Sequence, residues 1–264
     1  MFDLNNIRLG YTDAVEKGYF AEYSPAYVTT NEDIKSVVRY LKPSGKRVLI
    51  TTGSGDGPML FRANGASDVD SFDISFCAKA IMDMKVSALQ NMSLNQYITF
   101  LKSLRNANQF DKYADTINGC PMLTRQFITH MNGCNIFSNG QGVDDCALPN
   151  PEEYTKMRKN IHSPLPFIWS DLDSLSGKLT KKYDIIYLSN IFQYEKDRNN
   201  IVRVLNSLRP YLNVGGHIMV HATWYFRNFE TDNYMWAADK VKSWGRLYKM
   251  VNDGNQYAFL QRIR

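Results

Sequence analysis

The chain has 264 residues, of which 44% are apolar and 22% charged, and a formal net charge of +5. This is ordinary soluble composition, and a chain of this size buries enough apolar surface to fold without disulfides or a structural metal. The length suits one α/β domain over residues 1–264 carrying an insertion. No run approaches the ~20 apolar residues of a membrane span, and Met1–Arg8 lacks a signal-peptide core, so a soluble, cytoplasmic protein is expected.

Residues 1–30 are polar and aromatic without clear periodicity, and 1–42 are expected to form an N-terminal cap. Thr30-Asn-Glu-Asp33 reads as a helix start with acids in the first turn, leading to a helix that runs to about Leu41 before Pro43-Ser-Gly45. Arg47–Thr52 is a β-branched run and predicts a buried strand. Gly53–Pro58 is a tight loop into a helix over Met59–Asn64. Asp68–Asp73 predicts the second strand, and Phe76–Leu89 a strong helix, with Ala78, Ile81, Met82, Lys85, Val86 and Leu89 at helical spacing.

Residues 91–165 do not belong to a minimal α/β unit and are expected to form an insertion or lid: helical at Leu94–Leu104, loop-heavy over 118–150, helical again at Pro151–Ile161. The α/β rhythm then resumes with strands at Leu165–Trp169, Tyr183–Leu188 and His217–Ala222 and a helix over Asp197–Leu212. Trp244–Val251, the turn Asn252-Asp-Gly-Asn255 and Gln256–Arg262 predict a closing hairpin. Together these give a Rossmann-like α/β fold with a mostly parallel, seven-stranded sheet, an antiparallel C-terminal hairpin and a helical insertion, the ordering of SAM-dependent methyltransferase-like folds (SAM, S-adenosylmethionine).

Cys77, Cys120, Cys134 and Cys146 form no CxxC pair, and His130 with Cys134 lacks a second ligand pair, so no metal site is expected. The basic runs Lys178–Lys182 and Arg246–Lys249 are sparse. Nucleic-acid binders carry denser patches, so the charge argues against a nucleic-acid partner. It suits solvated lysines, an anionic small substrate or peripheral contact with a membrane surface.

The strand–Thr52-Gly53-Ser54-Gly55-Asp56–helix unit carries the chemistry. Glycines let the backbone pass close to a ligand, and the helix start supplies oriented N–H groups. The Gly-Lys-Ser/Thr of a phosphate-cradling loop is absent, and Asp56 fits a cationic ligand better than a pyrophosphate. SAM meets that requirement. Asp73 ends the next strand 18 residues after Gly55, where an acid accepts both ribose hydroxyls of a nucleoside, and Ile74 follows it. Asp171 and Leu172 follow the third strand; Asp171 is placed either to accept from an adenine amino group or to cap a helix. Ser189, Asn190 and Tyr194 follow the central strand and face the ligand crevice. No proline pair occurs there, which argues against an amino-methylase of nucleic-acid bases. Trp224-Tyr225-Phe226 are candidates for an acceptor wall or for core.

The stretches Val48–Asp56, Asp70–Asp73, Ala78–Gln90 and Leu94–Phe100, with Tyr154–Arg158 and Leu188–Phe192, resemble the SAM:diacylglycerol 3-amino-3-carboxypropyltransferases of betaine-lipid synthesis over roughly residues 45–222. The resemblance implies transfer of the aminocarboxypropyl group to a small-molecule or lipid acceptor, with methylthioadenosine leaving. It implies Tyr194, Tyr97 or His221 as candidate bases, and Arg158 as a holder of an acceptor anion or of the SAM carboxylate. A SAM-dependent methyltransferase acting on a small molecule, and a non-catalytic SAM-binding protein, use the same loop and acids.

Overall fold

The computed structural model describes residues 26–104, 113–131, 147–194, 197–222, 237, 239–252 and 255–264. Its frame is a sheet of seven strands in the order β3-β2-β1-β4-β5-β7-β6. The strands are β1 Arg47–Thr51, β2 Asp68–Asp73, β3 Phe167–Trp169, β4 Tyr183–Tyr187, β5 Leu212–Ala222, β6 Gly245–Asn252 and β7 Asn255–Arg262. The first five run parallel, and β7 pairs antiparallel with both β5 and β6. This is the Rossmann-like order expected from the sequence.

The central strands are apolar on both faces because helices cover both. Val48, Ile50, Ile185, Tyr187 and Met219 pack into the core on one face. Leu49, Phe72, Ile186, Ile218 and Leu260 pack into the core on the other. The alternation is the period-two pattern of a strand. Chain order reverses between β1 and β4: β2 and β3 build outward on one side, β5 on the other. The carboxyl ends of β1 and β4 therefore flank the switch point, where open α/β sheets bind ligands.

Nine α-helices lie among the described residues: α1 Ile34–Leu41, α2 Asp56–Ala63, α3 Phe76–Asn91, α4 Leu94–Ser103, α5 Ala114–Asn118, α6 Met122–His130, α7 Pro151–Asn160, α8 Leu172–Leu175 and α9 Arg198–Leu208. Helix α3 is buried almost all round, Lys85 included. Its cover is the insertion: α4, α5, α6 and α7 all contact α3, and α7 also contacts α2. A helix buried on every side needs such a coat.

Several boundaries depart from the sequence reading, each for a local reason. Helix α1 starts at Ile34 because the Asp33 side chain accepts from Ser36 N at 3.1 Å, making Asp33 the cap rather than Thr30. Helix α2 starts at Asp56, with Pro58 in its first turn. Helix α6 lies inside the segment expected to be loop-heavy; its buried Thr124, Phe127 and Ile128 recur at helical spacing. Strand β5 begins at Leu212, the expected last residue of the preceding helix, and takes in Asn213–Gly216 ahead of the expected strand start at His217. The register with β4 shifts between Tyr183 and Ile185, and Gly215 takes φ +83°, so these glycines form an irregularity inside the strand. Residues 253–254 of the expected turn and Trp224–Phe226 lie outside the described residues. Among the described residues no helix is long and apolar enough to cross a membrane.

Candidate cofactor cleft

A cavity of about 300 Å³ opens at the carboxyl ends of β1–β4. Eight of the residues predicted to bind a cofactor line it. Gly53 and Ser54 come from the loop after β1, and Asp73 and Ile74 from the end of β2. Asp171 and Leu172 come from the start of α8, and Ser189 and Asn190 from the turn after β4. Thr52 and Gly55 set the course of the glycine loop without lining the cavity.

That loop is closed by Gly55 N donating to Thr52 O at 2.7 Å, while Thr52 N donates to Phe72 O at 2.8 Å. Gly53 and Gly55 take φ +52° and +82°, a region that favours glycine. At Gly55 a Cβ would also sit 2.8 Å from Met82 Cβ on α3. The close approach lets the start of α2 rest on α3. Gly55→Ala is therefore expected to lower stability by about 2–4 kcal/mol, through left-handed strain and overpacking together. Denaturant unfolding checks this, and an unchanged midpoint would contradict it.

Asp73 is the best-defined polar group of the cleft. Its Oδ2 accepts from Gly53 N and its Oδ1 from Ser75 N, both at 2.9 Å. Burial pushes its carboxyl up to about 6, against the opposing pull of these backbone N–H groups. Between the ordinary value of 3.8 and about 6 the folded state holds a proton that the unfolded chain has released. Stability from this group accordingly falls as pH rises through that window, and the ionised carboxylate is a cost to the empty fold at neutral pH. Ile74 is fixed by Trp169 Nε1, which donates to Ile74 O at 2.7 Å. Asp171 Oδ1 accepts from Ser174 N at 2.6 Å, so it caps α8, one of the two roles open to it from sequence, and it also lines the cleft.

Asp56 does not face the cleft as expected. Its Oδ1 pairs with Lys85 Nζ at 2.5 Å, and its Oδ2 accepts from Thr30 N at 2.8 Å and from Ser54 Oγ at 2.9 Å. The Lys85 side chain is fully buried, and burial lowers its pKa while Asp56 pulls it back up. The acid of the loop is thus the partner of a buried lysine.

The candidate bases fare differently. Tyr97 is buried beside Tyr154, with ring centroids 5.6 Å apart, and burial, then Asp56, holds its hydroxyl well above its ordinary value. It does not line the cleft, and a phenol held in its neutral form is a poor base. Arg158 donates to Gln90 O at 3.1 Å and lies 6.0 Å from the Tyr154 ring, also away from the cleft. The side chains of Tyr194 and His221 lie outside the described residues. No described residue of 91–165 lines the cleft, because the insertion packs on α2 and α3 instead. Cys77 and Cys120 are buried thiols outside any disulfide, and no metal-ligand cluster occurs among the described residues.

A further wall comes from the segment before α1, within the expected N-terminal cap; it contributes Tyr27, Thr30, Asn31 and Glu32, none of which the sequence reading named as site residues. Glu32 Oε2 accepts from Tyr187 Oη at 2.6 Å, and Glu32 Oε1 accepts from Ser189 Oγ. Ser189 itself holds φ +54°, a conformation that costs a non-glycine residue energy and recurs at functional sites. In the sequence Glu32 reads only as a first-turn acid beside Asp33. Three carboxylates line the cleft, from Glu32, Asp73 and Asp171, and among its described lining residues there is no lysine, arginine or histidine.

No family model matches this chain, and no curated protein matches it. Solved structures of similar chain course do exist. A ribosomal protein L11 methylase from Lactobacillus delbrueckii subsp. bulgaricus is 12% identical, with 88% of this chain and 77% of that chain covered and a TM-score of 0.46. An rRNA methylase from Streptococcus thermophilus is 10% identical, with coverages of 89% and 98% and a TM-score of 0.44. A Streptococcus mutans chain solved in complex with SAH (S-adenosylhomocysteine) is 8% identical, with coverages of 88% and 99% and a TM-score of 0.45. At these scores each likeness is one of chain course, and lends this chain no reaction or substrate.

Proposed function

We propose that this protein binds SAM in the cleft at the β1/β4 switch point and transfers the methyl group to a small-molecule or lipid acceptor. The observation that carries the reading is the cleft's composition: a partly buried Asp73 at the end of β2, beside a glycine loop, in a cavity with three carboxylates and no described cation. A pyrophosphate cofactor needs positive charge or free loop N–H groups facing its phosphates. SAM instead brings a nucleoside, a sulfonium and an ammonium against one carboxylate, and so arrives with net positive charge.

The residues divide the work along the sheet edge. Asp73 is placed to accept the two ribose hydroxyls. Ile74 and Leu172 give the adenine apolar walls, with Asp171 at its rim. Gly53 and Ser54 bring backbone close to the amino-acid tail. Ser189 and Asn190 face the group that is transferred. SAM, when bound, supplies a carbon already activated by a good leaving group. The chain's own contribution is to hold acceptor and carbon in line and to exclude water.

Methyl transfer is preferred because the methyl is the least hindered of the sulfonium's carbons. Moreover, Tyr97 and Arg158, two of the four positions through which the resemblance implied aminocarboxypropyl transfer, stand away from the cleft, while the side chains of Tyr194 and His221 lie outside the described residues. The absence of a cation from the described lining also favours a small-molecule or lipid acceptor over a nucleic acid.

The test incubates the purified protein with SAM and, separately, with the metabolite, lipid and RNA fractions of a cell extract, read by mass spectrometry. SAH together with an acceptor heavier by one methylene supports the proposal. Methylthioadenosine with an aminocarboxypropylated acceptor would replace methyl transfer by the alternative reaction, and turnover only with RNA would overturn the acceptor class.

A further inference from the structure

We propose that the hollow between α5 and α6, on the insertion, binds a ligand that carries a phosphate group, with Arg125 and His130 as its anchors. The inference is independent of the cofactor reading, since none of the residues of this hollow lines the cleft.

The sequence places the residues. Met122, Arg125, Gln126, Thr129 and His130 recur at i, i+3, i+4, i+7 and i+8, which is one face of α6. The other face carries the buried Thr124, Phe127 and Ile128. A polar outward face alone would be a solvated surface. Two observations set this one apart. Ile117 and Asn118 of α5 close it into a hollow of about 600 Å³. Arg125 Nε and His130 Nε2, both from its lining, are buried without a hydrogen-bond partner. Buried polar groups are nearly always satisfied, so two exceptions in one hollow require a reason.

The hollow is held from behind by α3. A Cβ at Gly119 would collide with Ser87 Oγ, so the turn between α5 and α6 lies directly on α3. Ser87 Oγ donates to Thr116 O at 2.7 Å, which fixes α5. Thr124 Oγ1 donates to Asp83 Oδ2, which fixes α6. Asp83 is also paired with Lys79 at 2.7 Å, so its charge is answered within α3.

Charge then selects the ligand. Among the described residues no carboxylate pairs with Arg125, and the lining holds no aspartate or glutamate. A guanidinium drawn partly out of water without a counter-charge costs free energy, which a bound anion offsets. Its planar fork matches an oxyanion. Asn118, Gln126, Thr129 and His130 add donors around it, more than the two oxygens of a carboxylate use and suited to the three terminal oxygens of a phosphate. Ile117 and Met122, the latter 66% exposed, give the carbon portion of such a ligand an apolar edge. The net charge of +5 is spread along the chain, which suits one anionic group better than a polyanion.

The experiment follows the ring resonances of the four histidines of the full chain by NMR while inorganic phosphate is added, with chloride at matched ionic strength as the control. We expect a shift of His130 alone, saturating at about millimolar phosphate. Arg125→Gln should weaken it about tenfold or more. Gln126→Glu, at an exposed position that leaves the packing of Arg125 in place, should also weaken it about tenfold by putting a negative charge into the hollow. Lys159→Gln, which removes an exposed charge outside the hollow, should leave it unchanged. Shifts that chloride reproduces, that move all four histidines together or that survive both hollow variants would overturn the assignment. Glycerol 3-phosphate and vesicles containing phosphatidic acid then separate the sources. Binding of the first identifies a soluble phosphate ester, and binding of the second, lost in Arg125→Gln, a lipid headgroup. Binding of inorganic phosphate with neither probe bound would reduce the hollow to a bare-anion site and overturn the ligand class.

Discussion

Asp73→Asn is expected to weaken SAH binding about 30–100-fold while leaving the empty protein's stability within about 1 kcal/mol of wild type. The binding loss follows from replacing an ionised acceptor of two ribose hydroxyls by an amide that accepts at one atom only. The small effect on folding follows from two opposed terms. The ionised carboxylate is a cost to the fold at neutral pH, since burial raises it to about 6, and the amide removes that cost. Against this, the amide nitrogen faces a backbone N–H, because Gly53 N and Ser75 N both donate to Asp73. Wild-type affinity should also fall as pH drops through about 6, approaching tenfold per pH unit below it, and Asp73→Asn should flatten that profile. Titrations from pH 5 to 8 on both proteins check this. A wild-type affinity independent of pH, or a variant that binds as tightly as wild type, would remove Asp73 from the ribose site.

Lys85→Met should have the largest effect on stability, a loss of about 3–5 kcal/mol. The substitution fits the apolar surroundings of α3 but strands the Asp56 carboxylate, whose side chain is only 10% exposed. Asp56→Asn in the same chain should restore a large part of the loss, since the pair then becomes two uncharged groups. The cycle should show a coupling of at least about 2 kcal/mol. Additive single and double variants in denaturant unfolding would show that the pair is not the source of the effect. Because Asp56 also accepts from Thr30 N and Ser54 Oγ, Lys85→Met should loosen the cleft as well as the core.

Much of the frame was legible because it follows from local pattern. Arg47–Thr51 and Tyr183–Tyr187 are apolar runs too short for helices, and Ala78, Ile81, Met82, Lys85, Val86 and Leu89 recur at helical spacing within Phe76–Asn91. Gly53 and Asp73 were legible as a pair because the βαβ unit fixes the distance between the first strand's loop and the second strand's end. What failed depends on contacts between residues far apart in the chain. The partnership of Asp56 with Lys85 spans 29 positions, and no spacing rule reveals it. One signal did exist: Lys85 falls among the apolar positions of α3, and a lysine on a buried face requires a carboxylate. Glu32 had no such signal, since the approach of its segment to Tyr187 and Ser189 spans more than 150 positions. Likewise the insertion read as a lid, although the all-round burial of α3 accounts for where it packs.

The most direct test of the account is calorimetry of the wild-type protein at pH 7.5 with SAM, SAH, NAD and ATP in parallel. It predicts one binding site per chain for SAM and for SAH, and no measurable heat for the two phosphate-bearing ligands. Binding of NAD or ATP without SAM or SAH would contradict it and return the cleft to a different cofactor.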